Sequence, residues 1–408
     1  MVRASTWLSS AKPMAKDDLV AIVGAGPVGL SAALRLGSLG VATVLLEAEL
    51  TQPHDLRAST FHPPTLEMLE VVGLTDKLIA RGLITPDWQI RIHETGERAL
   101  FDLSVLADDT RYPFRLQCEQ TVLCALAMEQ ALAQPAIQVF RGFRAATVAQ
   151  NADTVTVTAE DGRQITAQWL IGADGARSVV RKQCGFAFEG FTYPETTILA
   201  TSRFPFQDHL EGLSNVNYCW SDHGTYSLLR LTDVWRCSLY SDPGESLEEA
   251  LEPAAIAAKL QRIVPSDSGH QIGEIRPYRI HQRIVETYRQ GRVLLAGDAA
   301  HLNSPSGGMG MNGGIHDAFA LAEGLHQVLG GTDNALLDRI SRQRKSIAQD
   351  QIFAQAHRNR TRMQERDPAR RREELAALQA ICADAAKLRE YLLKSSMIAG
   401  LREAEAIP

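Results

Sequence analysis

Four short, nearly uninterrupted apolar runs mark the chain, at residues 19–23, 41–46, 169–171 and 293–296. Each is too short for a helix and lacks alternation, which is how a parallel strand buried on both faces reads. The first is followed by a helical pattern through Leu36. Further helical spacing runs through Leu66, Met68, Leu69 and Val72, and from just after Gln117 to about Ala133. Residues 139–148 and 154–158 alternate enough for strands, and Glu160-Asp-Gly-Arg163 reads as a hairpin turn. From Phe186 to about Ser241 the pattern changes to alternating, aromatic-rich segments at 196–204, 215–220, 225–231 and 234–240. These predict an antiparallel sheet. Residues 247–264 are helical, with Pro253 opening the longer half, and 272–284 return as a strand. Beyond Leu325 the pattern is helical to the end, broken at Asp367-Pro368. The charged stretch from Arg370 through Arg371 and Arg372 to Glu374 reads as solvated helix surface.

The pattern predicts an α/β fold in which one nucleotide-binding domain of Rossmann type is assembled from residues 17–85, 114–185 and 272–340. An antiparallel-sheet substrate domain, 86–113 and 186–271, is inserted into it, and 341–408 form a C-terminal helical region. A length of 408 residues suits two interleaved domains. The formal charge of -6 offers no basic surface for nucleic acid. Cys118, Cys124, Cys184, Cys219, Cys237 and Cys382 are scattered, with no C-x-x-C pair and no metal-ligand spacing, so no metal is expected. They read as reduced thiols of a cytoplasmic protein. No apolar run approaches a membrane span. Residues 1–16 read as a polar leader without the hydrophobic region of a signal peptide.

Chemistry enters at the ends of the apolar runs. Gly24-Ala-Gly26-Pro-Val-Gly29 lies between a strand and a helix, the context in which G-x-G-x-x-G binds a dinucleotide. Its glycines supply a tight turn, close approach to the pyrophosphate and helix-on-strand packing. The second run ends in Glu47, about twenty residues on, where a carboxylate meets ribose hydroxyls. The third ends in Gly172-Ala-Asp174-Gly175-Ala-Arg177-Ser178. Asp174 there is either a helix cap or a ligand-facing acid. The fourth stops at Gly297-Asp298, presenting a carboxylate at a strand's carboxyl end. Pro305, Gly307, Gly308, Gly310, Met311, Gly313 and Gly314 follow, dense enough in glycine for backbone to lie against a flat or anionic ligand. Ile315, Ala318, Phe319, Leu321 and Leu325 then place a helix start near Asn312, its free N–H groups aimed at that ligand.

The segments at Gly24, Asp174 and Asp298, in this order, resemble those of the single-component flavin-dependent aromatic hydroxylases of the para-hydroxybenzoate hydroxylase type. The resemblance implies FAD as cofactor, with Asp298 on the ribityl chain and Pro305 and the Gly308, Gly310, Met311 and Asn312 backbone framing the isoalloxazine ring. It implies Arg57 at the phosphates, Gln117 near the flavin, and Asp174 linked to FAD and NAD(P)H. With a single G-x-G-x-x-G in the chain, NAD(P)H would dock transiently. The reduced flavin would take up O2 as a C4a-hydroperoxide and hydroxylate a small aromatic ring. Tyr218 precedes Gly224 at a spacing similar to that of the tyrosine that hydrogen-bonds the substrate phenol in this family. His223 and Tyr226 are neighbouring candidates for catalysis, and Pro305 suits water exclusion. The family's carboxylate-binding serine and arginine fall on Leu229 and Leu231, and Arg230 faces the other side of its strand. The expected substrate is therefore a neutral, nitro-substituted or otherwise decorated phenol, or a hydroxylated heteroaromatic. A flavin oxidoreductase without oxygen insertion and a non-catalytic flavin-binding module remain the alternatives, and a homodimer through the charged C-terminal helices is a further expectation.

Overall fold

The computed structural model describes residues 18–52 and 58–408. Arg57 lies outside the described residues. The apolar runs form the centre of a six-stranded sheet in the order Arg289–Gln290, Val293–Leu295, Trp169–Gly172, Val20–Val23, Thr43–Glu47, Ile137–Arg141. All neighbours are parallel except the first pair. Val20, Ile22, Trp169, Ile171 and Leu294 turn one face into a core shared with the helices Pro27–Ser38 and Met309–Leu329. Ala21, Val23, Leu170, Val293 and Leu295 fill a second core on the other face, under the antiparallel strands Ala145–Gln150, Val155–Ala159 and Gln164–Ala167.

The alternating segments form an eight-stranded mixed sheet, in which Val216–Ser221 pairs antiparallel with Gly224–Arg230 and parallel with Asp87–Ile92. Its longest strands, Phe188–Ser202 and Ile272–Val285, run beside each other. Residues 272–285, assigned above to the nucleotide-binding part, thus lie in this sheet. One face carries Cys219, Tyr226, Leu228 and Cys237 against the helix Pro253–Ile263. On the other, Trp88, Phe101 and Trp220 pack under C-terminal helices. Trp88 stacks on Phe101 with centroids 4.0 Å apart, and the Trp220 Nε1–H donates to the Arg362 carbonyl at 3.0 Å.

Two local readings change. The helix expected near Asn312 starts at Met309, because Gly308 adopts φ 68° and turns the chain before the asparagine is reached. The charged stretch after Pro368 is not all solvated. Arg371 is 6% exposed, and its guanidinium donates to the Ser221 carbonyl at 2.8 Å and the Glu365 carbonyl at 2.7 Å. Its helix thereby clamps the hairpin end of the eight-stranded sheet. The break itself is capped by the Asp367 side chain, which accepts from the Ala369 N–H.

Candidate active site

A single cavity of about 580 Å³ runs from the turn after Val23 to the inner face of the eight-stranded sheet. Its first end is shaped by glycine. Gly24 has φ 101°, and a Cβ there would lie 2.5 Å from the Ala173 carbonyl oxygen. A Cβ on Gly29 would lie 1.8 Å from the Gly24 oxygen, whereas one on Gly26 would meet nothing within 4 Å. Gly24 and Gly29 therefore let helix and strands close, and Gly26 leaves backbone facing the cavity. The helix Pro27–Ser38 has no side-chain cap and no acid in its first turn, so its N-terminal N–H groups are available to an anion. Glu47 lines the same end. Its carboxylate accepts from the Ala25 N–H at 2.7 Å and the Glu49 N–H at 2.8 Å, fixing the glycine turn against the second strand.

Asp174 also lines the cavity while capping the short helix Val179–Gln183, accepting from the Val179 N–H at 2.6 Å and the Val180 N–H at 3.1 Å. Burial raises its pKa despite those bonds and the Ser178 hydroxyl. The capping bonds therefore belong to a side chain that also stands on the cavity wall.

Asp298 lies on the cavity wall in a single 3-10 turn, Gly297–Ala299. That turn hangs on Asp317. The Asp317 carboxylate, 0% exposed, accepts from the Gly297 N–H at 3.0 Å, His301 Nε2 at 2.9 Å and Arg344 Nε at 2.6 Å. Since a carboxylate only accepts, Nε2 carries the His301 proton. Burial alone would raise the Asp317 pKa, but Arg344 and His301 hold it below the usual carboxylate range. Gly297 and Gly314 allow the turn, the first helix and the long helix to meet, for a Cβ on Gly314 would lie 2.6 Å from Val28 Cγ2 and 2.9 Å from the Gly297 Cα.

Pro305, Gly308, Gly310 and Met311 line the middle of the cavity. Asn312 stands behind them. Its amide donates to the Thr60 carbonyl at 2.8 Å and the Gly308 carbonyl at 2.6 Å, and accepts from the His62 N–H at 3.0 Å. Gln117 is fully buried and reaches the wall through Thr60, whose hydroxyl its amide donates to at 3.0 Å. His62 Nε2 meets the Gly307 carbonyl at 2.8 Å, and burial followed by the charge of Arg115 drives its pKa well below normal.

The sheet end is built by alternation. Tyr218, Ser227 and Ser238 are cross-strand neighbours and all line the cavity. Tyr226 touches the wall too, but pairs with Cys219 on the opposite face, where its hydroxyl bonds His93 Nδ1 at 2.8 Å. His223 is an exposed residue of the turn at 222–223, apart from the cavity. Leu229 lines the cavity, and Arg230 lies over the Trp235 ring, its guanidinium 6.0 Å from the centroid. The sequence pattern missed Arg236, which is 8% exposed on the cavity wall and donates to the Ser59 hydroxyl at 3.0 Å. The alternation Arg236, Ser238, Tyr240 against Trp235, Cys237, Leu239 signals one polar face. Such a face reads as solvent-facing unless a second domain covers it. Among the described residues no cluster of His, Cys, Asp or Glu could hold a metal.

Residues 18–354 match a protein family described as FAD binding domain. Para-nitrophenol 4-monooxygenase of Pseudomonas sp. (strain WBC-3) is 34% identical over 398 residues, covering 95% of this chain and 98% of that protein. 6-Hydroxy-3-succinoylpyridine 3-monooxygenase HspB of Pseudomonas putida is 34% identical across 82% of this chain and 86% of its own length. The crystal structure of p-nitrophenol 4-monooxygenase PnpA from Pseudomonas putida DLL-E4 superposes with a TM-score of 0.87 at 33% identity, covering 94% of this chain and 97% of that one.

Proposed function

The chain belongs to the FAD-dependent aromatic monooxygenases, and from that membership we propose that it hydroxylates a small phenol or hydroxylated heteroaromatic ring using NAD(P)H and O2. The observation that carries this reading is the continuity of the cavity. One end is a glycine turn at a helix N-terminus, suited to a pyrophosphate. The other is a half-apolar sheet face bearing hydroxyls, suited to a decorated ring. FAD, when bound and reduced, supplies the activated oxygen.

The chain's own groups have three tasks. The uncapped helix starting at Pro27, the backbone at Gly26 and the Glu47 carboxylate would hold the adenosine diphosphate end of FAD, and Asp298 would serve the ribityl chain. Pro305, Gly308, Gly310 and Met311 form a surface without side-chain acids, which keeps water and stray protons from the reacting centre. The N-terminus of the long helix favours negative charge there by about 0.3 to 1 kcal/mol, and the N–H groups behind it add to this. Tyr218, with Ser227, Ser238 and Leu229, orients the ring.

The relatives act on nitrophenol and hydroxypyridine rings. Leucine at 231, the position that the resemblance assigns to a carboxylate-binding arginine, supports a phenol without a carboxylate substituent, such as a nitro-substituted one. The described cysteines are all free thiols, which supports a reducing compartment. No described helix is long and apolar enough to cross a membrane.

Screening nitro-, halo- and hydroxypyridine-type phenols for stimulated NAD(P)H oxidation, with product mass, tests the function. At least one ring should gain oxygen with consumption of NAD(P)H and O2. Flavin-bound protein that oxidises NAD(P)H with ring stimulation but without any oxygenated product would replace this reading with that of a reductase.

A further inference from the structure

Behind Tyr218 lies a buried cation that no carboxylate meets. Arg115 opens the strand Arg115–Gln117, is 2% exposed, and forms no ion pair among the described residues. Its guanidinium lies over the Trp88 ring, 4.8 Å from the centroid, and shares the wall of a small chamber with Tyr218, with Tyr391 also near. Nε is buried without an acceptor. The nearby Arg362 is different, for Glu374 takes its Nε–H at 2.7 Å. Burying an ion without a partner costs several kcal/mol. Aromatic contact at about 1 to 2 kcal/mol offsets only part of that. The charge is therefore suited to an anion supplied from outside the chain.

The donor inventory gives the direction. A guanidinium only donates, so toward Arg115 the Tyr218 oxygen can only accept, which leaves its own O–H for another acceptor. Tyr218, Ser306 and Met363 separate the main cavity from a water-sized chamber of about 20 Å³ against Arg115. The tyrosine thus has the guanidinium on one side and the ring site on the other. An anionic oxygen in the ring site would accept the Tyr218 proton in a charge-assisted bond and complete the charge of Arg115. A neutral phenol oxygen could accept only an ordinary hydrogen bond and would leave the charge of Arg115 uncompensated.

We propose that Arg115 is a positioning residue that makes the site select the phenolate form of its ring substrate, acting through the Tyr218 hydroxyl. This rests on the phenol-hydroxylase reading above. The groups facing Arg115 are Tyr218 from the sheet, Tyr391 from the helix Ala385–Ser395, Arg362 from the helix Ala354–Gln364, and His62 at the start of the helix Pro63–Val71. His62 is held neutral, so none of them supplies a negative charge at neutral pH.

The test uses the FAD-loaded, oxidised protein with 4-nitrophenol as probe, whose phenol and phenolate bands differ in the visible. In the wild type the bound probe should ionise about one to two pH units below the free probe. Arg115→Gln should return the titration upward by about one unit, a tenfold loss of phenolate preference. Arg115→Lys should recover most of it, which loss of a merely structural residue would not predict. Tyr218→Phe leaves Arg115 in place and should also lose most of the displacement, so the proposal stays testable if Arg115→Gln does not fold. A bound probe that titrates alike in the wild type and these variants overturns the role of Arg115. Failure of the wild-type protein to bind 4-nitrophenol or any of the phenol panel overturns the phenol reading, and this proposal with it.

Discussion

At the scale of single residues, Gly29 has the least freedom. An alanine there would place its Cβ 1.8 Å from a carbonyl oxygen, so Gly29→Ala should cost about 3 kcal/mol or more and abolish FAD retention, read as flavin absorbance after gel filtration. Glu47→Ala should weaken FAD binding at least tenfold by fluorescence titration. Unchanged affinity would remove Glu47 from the site. Asp317→Asn leaves Arg344 buried beside a neutral amide and should lose about 3 to 5 kcal/mol in urea unfolding. Because the folded pKa of Asp317 is depressed, its contribution is complete above the unfolded value near 3.9 and is lost as pH falls through the folded value. The penalty should be constant above about pH 5 and shrink below about pH 4. His316 has linkage of the same sign in a higher pH window. Burial and then Arg344 lower it to about 3, so the unfolded chain binds its proton first and stability falls as pH drops from about 6.5 toward 3. His316→Gln should flatten that slope. The glycines and Glu47 were legible because their chemistry is local in sequence. Arg115, Arg236 and Asp317 were not, since each acquires its meaning from partners far along the chain.

At the scale of elements, buried parallel strands gave the clearest signal because continuous apolar runs leave little else to build. The start of the long helix was misread for a physical reason. Asparagine is a good cap, but two glycines before it turn the chain first, and the asparagine is then spent on a bond across to Thr60 and His62. Asn312→Ala should therefore act on loop placement more than on helix content. It removes three bonds and should cost about 2 to 3 kcal/mol, with far-ultraviolet circular dichroism unchanged and a larger fraction of NAD(P)H oxidation uncoupled from product. Alternation on the strand Trp235–Leu239 was visible, but not which face meets solvent. Both faces are covered, one by the helix Pro253–Ile263 and the other by the cavity and the nucleotide-binding part.

At the scale of the whole molecule, the cavity wall draws on residues from Val23 to Met363, contributed by both large sheets and the C-terminal helices. A ligand that binds across them should stabilise them together. FAD at a hundred times its dissociation constant adds about 2.7 kcal/mol, and calorimetry should show one transition moving upward, not two responding separately. The same wall has a consequence in time. Val20–Val23 is made early, yet its neighbour Trp169–Gly172 and the next strand, Val293–Leu295, emerge much later. At about 5 to 20 residues per second, the interval from residue 23 to residue 363 is roughly 20 to 70 s. Until residue 172 is made Val20–Val23 has no partner on one edge, and throughout the interval the nucleotide turn lacks its complete pocket. Cofactor supply cannot rescue it then, so translation speed and chaperone capture, more than FAD concentration, should govern how much of the newly made chain survives.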